Sequence, residues 1–394
     1  MKLYNEKREV GARAVILDDM ILTKDMPTTA GSKMLSGYMS IFDAEVVTRL
    51  ESAGYSISGK SAVGEFAIDL LGESSVDGAL VKDGAIVNAS AEILLAGEAM
   101  ASVSLDVNGS TRRAAAQSGL VCVKPTYGTV SRYGTVPASC SGECVSVTAK
   151  CASDCLEVLT AISGHDSKDG TSLSDAECKK ALEGGDIKKA CIIKELYELA
   201  DDAVKAKIDA TRVALSGMGV EVSVVSAPLL LSARPAWNIL MTAELCNNVS
   251  RYDGVKYGYR AENFTGLDEL YTKSRTEAFG KLLKTAIIYG SETLSTENYM
   301  KVYDKALRTR RVIVEALNKL LEEYGAIIIP ACSKTAYTAD GIALDECFTE
   351  NVFTAPASIS GIPSVVVSGV MLLGEAFSEG KLLSLAQKLE KEGK

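Results

Sequence analysis

Short runs of β-branched residues alternate with stretches of helical periodicity along the chain, and this alternation limits its possible folds more than any other feature. Apolar runs at 14–17, 55–58, 102–105, 120–123, 190–193, 220–225, 326–329 and 364–367 predict strands, because runs of this length between turn formers suit a sheet buried on both faces. Between them, apolar residues recur every three or four positions over 43–53, 89–100, 154–162, 200–218 and 296–324, which predicts amphipathic helices. Strands alternating with helices build an α/β fold: a mixed, mainly parallel central sheet with helices on both sides. With 394 residues, 47% apolar and 24% charged, the chain can bury one large core, and residues 1–394 read as a single domain. The stretch 167–186, rich in Ser, Asp, Lys and Gly, reads as a surface connection, which either divides two lobes or lets the later strands rejoin one sheet. The charged segment 379–394 reads as a solvated terminal helix.

Charge and cysteine usage narrow the function classes. A net charge of −9 argues against a broad basic surface, so contact with nucleic acid is expected only through a partner. No apolar run is long enough to span a bilayer, and ten scattered cysteines fit reduced thiols in the cytoplasm. Cys140, Cys144, Cys151 and Cys155 form a C-x3-C-x6-C-x3-C run, but zinc pairs are usually closer within and farther apart between. Cys151 and Cys155 also fit one helix face, so these residues read as buried or incidental thiols, and no metal site is expected. No glycine-rich phosphate loop follows a strand, so no nucleotide cofactor is expected either.

The segment 105–128, LDVNGSTRRAAAQSGLVCVKPTYG, carries the chemistry. It places Gly109-Ser110 between a predicted strand and the start of a helix. A serine there has two readings: an N-cap whose hydroxyl accepts a backbone N–H, or a nucleophile that needs a base to take its proton. The only histidine, His165, is far away in sequence and reads as part of the Gly164-His165-Asp166 turn.

This segment resembles the catalytic signature of the amidase signature family, with Ser110 at the nucleophile position. The resemblance continues through TTAGSKMLSGY at 28–38, Gly59-Lys60, AISGHDSKDGTS at 161–172, SRYDGVKYGYR at 250–260 and FTAPASISGIP at 353–363. It is closest to the branch formed by the A subunits of glutamyl-tRNA(Gln)/aspartyl-tRNA(Asn) amidotransferases. The resemblance implies the amidase signature fold, a mixed central sheet between helices, and a Ser-cisSer-Lys glutaminase that supplies ammonia to a B subunit. It also implies B and C partner subunits, contact with tRNA only through them, and ATP and magnesium held only by the B subunit. The helical N-terminal region usual in the family is expected to be absent.

Carried over residue by residue, the resemblance implies a degenerate site. Asp18 falls at the lysine position and Ile86 at the bridging serine, so neither can relay a proton from Ser110. The oxyanion loop reads Val107, Asn108, Gly109. Pocket positions fall on Trp237, on Thr285 or Ala286 in place of an arginine, and on Asn351 in place of an aspartate. A rebuilt relay of Ser110, Ser90 and Lys82 is the alternative that would keep an amidase or glutaminase active. The third reading is a non-catalytic binding or scaffold subunit.

Overall fold

The computed structural model describes residues 2–71, 74–339 and 346–392. Its strands in chain order are β1 (Tyr4–Lys7), β2 (Ala14–Asp18), β3 (Ser56–Ser61), β4 (Val81–Lys82), β5 (Ala85–Ile86), β6 (Ala101–Asp106), β7 (Val121–Lys124), β8 (Cys144–Ala149), β9 (Lys189–Ile193), β10 (Glu221–Val225), β11 (Ala326–Ile329), β12 (Ser364–Val367) and β13 (Val370–Leu373). Eleven of them form one sheet in the order β1-β3-β2-β6-β8-β7-β12-β13-β11-β9-β10, flanked by helices, and β4 and β5 form a separate hairpin. The strands that follow the 167–186 connection lie in the same sheet as those before it. Within that connection, Asp175–Leu182 forms a helix opened by a capping box of Ser174 and Glu177, a local signal sufficient to order a polar stretch.

All eight predicted strands are present, but the sheet is not mainly parallel. Among the described residues four neighbouring pairs are parallel, β2 with β3 and β6, and β9 with β10 and β11; six are antiparallel. The unpredicted strands β1, β8 and β13 introduce most of the antiparallel pairs. β8 is fully buried, and its alternation is masked by small polar residues; β13 is joined to β12 by a two-residue turn, Ser368-Gly369, with both φ values positive at 52° and 79°. Such a turn can only return the chain antiparallel.

The helix from Ala89 stops at Ala96, because Gly97 takes the left-handed conformation at its end and β6 begins at residue 101. The long helix spans Asp304–Tyr324, with a π-helical turn at Tyr299–Tyr303 before it. Helices Ala233–Val249, Leu267–Ala278 and Lys281–Thr293 were not legible as such. The first of these is buried around much of its circumference, which blurs a one-sided apolar stripe.

Candidate active site

The site forms where β6 ends. All six residues of β6 are buried, and the chain turns through Val107-Asn108-Gly109 into the helix Ser110–Ser118. Gly109 has φ 93°, and a Cβ there would lie 2.4 Å from Cβ of Thr354, so both the conformation and the space require glycine. Gly109 occupies the N-cap; Ser110 is the first helical residue. The expectation that Ser110 caps the helix is therefore replaced by a half-buried serine whose Oγ has no hydrogen-bond partner among the described residues.

Two residues further along the same helix, Arg112 is fully buried and grips Asp106 at both carboxylate oxygens, Nε to Oδ2 at 2.7 Å and Nη2 to Oδ1 at 2.8 Å. Burial works to raise the pKa of Asp106, but the charge and hydrogen bonds of Arg112 outweigh it and hold the carboxyl below its ordinary value. Arg112 also donates to the carbonyl of Thr354 and to Oγ of Ser358, which ties the end of β6 to the 353–360 segment.

Asp18 ends β2 and is buried. Its carboxylate accepts the backbone N–H of Leu105 at 2.7 Å and that of Met20 at 3.1 Å, so it braces the strand that leads to Ser110. Burial pushes its pKa up to about 7 despite those hydrogen bonds. Beside it, Asp19 accepts from Asn5 and Thr29, and Lys60 on β3 reaches 3.9 Å from Asp19 and donates to Oγ1 of Thr28. Burial lowers the Lys60 pKa to about 8 against the pull of both aspartates. No hydrogen bond connects this cluster to Ser110 among the described residues.

The rebuilt relay is not assembled in this structure. Lys82 is about half exposed and bonds Glu92 at 2.5 Å, and Ser90 Oγ bonds Ser61 Oγ at 2.7 Å. Ile86 is buried in β5 and held by its backbone N–H to the carbonyl of Tyr337 at 2.8 Å. The residues just after it, Val87, Asn88 and Ala89, do reach Ser110: with Asp69 and Arg113 they line a cavity of about 30 Å³.

Asn351 and Asn108, both buried, are joined by a hydrogen bond at the turn before Ser110. Asn108 donates its amide to the carbonyl of Ile68 at 3.1 Å, and Asn238 donates to that of Phe348 at 2.7 Å. Both therefore present their oxygens to the Nδ2 of Asn351, at 2.8 and 2.6 Å. The chain of carboxamides fixes the orientation of Asn351 and leaves its buried Oδ1 without a partner. A carboxylate at 351 would meet two carbonyl oxygens.

A family model described as Amidase matches residues 14–83 and 88–383. The chain belongs to the amidase family. It is 34% identical over 389 residues to the A subunit of glutamyl-tRNA(Gln) amidotransferase from Latilactobacillus sakei subsp. sakei (strain 23K), covering 92% of this chain and 79% of that protein. The corresponding protein of Symbiobacterium thermophilum (strain DSM 24528 / JCM 14929 / IAM 14863 / T) is 34% identical over 402 residues, covering 96% and 82%. The crystal structure of the glutamyl-tRNA(Gln) amidotransferase A subunit from Thermotoga maritima superposes with a TM-score of 0.81 at 26% identity, over 99% of this chain and 87% of that one. The 6-aminohexanoate cyclic dimer hydrolase, at 18% identity and a TM-score of 0.81 over 96% of this chain and 84% of that one, shares the fold.

The expected pocket residues separate in the structure. Trp237 is fully buried and its ring packs against Gly142, where a Cβ would lie 2.3 Å from the indole; it does not line the cavity at Ser110. Ala286 is fully buried, while its neighbour Thr285 lines a groove of about 270 Å³ with Asn238, Tyr289 and Phe348. Sequence reading missed Asn238, Asp69 and Arg113. The first two lack a distinctive motif, but Arg113 carried a signal: the pair Arg112-Arg113 in the first turn of a helix, where cations are disfavoured by the macrodipole. No helix among the described residues is long and apolar enough to cross a membrane.

Proposed function

We propose that this chain is an A-subunit-type component of a tRNA-dependent amidotransferase in which glutamine hydrolysis is impaired or absent. One observation carries this reading: among the described residues the Ser110 hydroxyl has no hydrogen-bonded base, while the residue at the lysine position, Asp18, is buried and engaged by the N–H groups of Leu105 and Met20. A serine hydroxyl is a weak nucleophile at neutral pH unless a neighbour takes its proton. Asp18 is committed to bracing the sheet, and Lys60, a buried amine whose charge acts on Asp18, bonds Thr28 and faces Asp19. The intact Asp106–Arg112 pair and the Gly109 turn preserve the frame of the site without its proton relay.

The names of the relatives make each of them one component of an amidotransferase. By that analogy the partners of this chain are B and C subunits, tRNA is contacted only through them, and ATP and magnesium belong to the B subunit. All ten cysteines are free thiols, which suits the cytoplasm. The test is ammonia release from glutamine by the purified protein, alone and with a cognate B and C pair, beside Ser110→Ala. We expect no difference between the two proteins, with the complex still forming. Release that disappears in Ser110→Ala would show an active relay and end this reading.

A further inference from the structure

A guanidinium stays protonated in proteins, so a buried arginine ordinarily sits against an anion. Arg113 is only 2% exposed, yet its bonding partners are neutral. Its Nε donates to the carbonyl of Leu70 at 2.7 Å, its Nη1 donates to Oε1 of Gln117, and its Cζ lies 5.9 Å from the ring centroid of Tyr337. Two carboxylates lie in its neighbourhood. Asp69 accepts the N–H groups of Leu71 and Ser74 and is 3.4 Å from Sγ of Cys347. Glu350 accepts from the backbone and hydroxyl of Ser333 and from the Tyr337 hydroxyl. Neither forms an ion pair with Arg113 among the described residues.

Arg113 and Ser110 are three residues apart on one helix, hence on the same face, and both line the 30 Å³ cavity. Asn88 joins them there; its Oδ1 caps the next helix by accepting from Ala91, which leaves the amide Nδ2 as a donor. The lining thus offers a guanidinium, a serine hydroxyl and a carboxamide N–H at the positive end of a nine-residue helix, beside the Asp69 carboxylate, whose two oxygens accept the N–H groups of Leu71 and Ser74. A single water takes roughly 10–15 Å³ on this measure, so the space suits two or three atoms and not a whole glutamine.

We propose that this cavity is a carboxylate-binding site, in which Arg113 holds the carboxylate end of a small organic acid and Ser110 and Asn88 donate to it. Planar oxygens match the guanidinium fork, whereas a tetrahedral phosphate is too bulky for the space. The inference deepens the reading of Ser110 as non-hydrolytic, because a carboxylate beside the hydroxyl is a poor electrophile and places any amide elsewhere.

The experiment is calorimetric titration of the purified full chain with acetate, at constant ionic strength set by chloride, with inorganic phosphate as the competing anion. Wild type is expected to bind acetate saturably, and Arg113→Gln about tenfold or more weakly. Ser110→Asp, at a partly buried position whose Oγ makes no hydrogen bond among the described residues, places a carboxylate in the cavity itself; it should keep its melting temperature and lose acetate binding, which covers the case in which Arg113→Gln does not fold. Absence of saturable acetate binding in wild type, equal binding by a folded Arg113→Gln, undiminished binding by Ser110→Asp, or equally strong binding of phosphate would each overturn the proposal. Ammonia release is scored separately, so saturable acetate binding together with Ser110-dependent release would refute the non-hydrolytic reading and leave the carboxylate site standing.

Discussion

Arg112 and Arg113 are adjacent on one helix, both buried, and differently employed. Arg112 meets Asp106 in a two-pronged ion pair and adds hydrogen bonds to Thr354 and Ser358. Arg113 meets a carbonyl, a carboxamide and an aromatic ring. Successive helical residues point about 100° apart, so the first side chain faces the sheet and the 353–360 segment while the second faces the Ser110 cavity. The difference shows which side of the turn is frame and which is open to a ligand. A buried charge matched to an opposite charge holds structure together; a buried charge without an anion keeps a place for one.

The largest effect expected is on the matched side. Arg112→Met would leave the Asp106 carboxylate in the core with the Thr111 hydroxyl and the more distant charge of Lys124, and breaking a buried pair in this way costs about 3–5 kcal/mol. Urea unfolding should report that loss as a lower midpoint with little change in slope. A loss below about 1 kcal/mol would mean that Asp106 simply takes up a proton, and the contrast between the two arginines would weaken.

The carboxamide chain extends the matched side. Asn351→Asp places a carboxylate against the oxygens of Asn108 and Asn238, whose own amides are held by Ile68 and Phe348. We expect a loss of about 2–4 kcal/mol at pH 8, smaller at pH 5 where the new acid is protonated and can donate once. Adding Asn108→Gly removes one of the opposing oxygens, and the double variant should recover part of the loss. Additive costs would show that the two positions are not coupled.

Asp18 braces β6 from its other side, and its effect is visible in pH. The native carboxyl keeps its proton up to about pH 7, while the ordinary value is 3.8. Between these values the native state holds a proton that the unfolded chain has released, so this contribution is full below about pH 4 and is lost as pH rises through about 7. Asp18→Asn abolishes the titration, so the stability of wild type relative to the variant should fall by on the order of 2 kcal/mol between pH 5 and pH 8. A constant difference would mean that Lys60 and the two N–H donors keep Asp18 ionised.

These assignments were unequally legible in the sequence. Apolar runs such as AIII at β11 and SVVV at β12 announced buried strands, whereas CVSVTA at β8 did not, because serine and threonine hide a fully buried strand within an apparently polar alternation. The direction of pairing was misread for the same reason, since β8 separates β6 from β7 and reverses both contacts. At the site, Ser110 and Gly109 were found through a local motif, and Asp18 through the resemblance, as the residue at the family's lysine position. Asn108 and Asn351 stand 243 positions apart in sequence, with Asn238 between them, and no local pattern encodes a contact of that kind. A cap was one of the two readings of Ser110, because Gly-Ser at a helix start favours that role; the structure instead has Gly109 at the cap, closely approached by Thr354.

The smallest stability effect should be at Arg113, and it tests the comparison most directly. Arg113→Met removes a desolvated charge and leaves the carbonyl of Leu70 without its donor. The first change is favourable and the second costs about 1 kcal/mol, so the net effect on unfolding free energy should lie within about 1 kcal/mol of zero. The measurement is the urea midpoint of Arg113→Met beside that of Arg112→Met, in chloride buffer free of carboxylates. With saturating acetate, wild type should gain stability as any protein does when a ligand binds only the native state, while Arg113→Met should gain none. A loss for Arg113→Met as large as that for Arg112→Met in the absence of acetate would show that Asp69 or Glu350 already serves as its anion, and the two arginines would then be the same kind of residue.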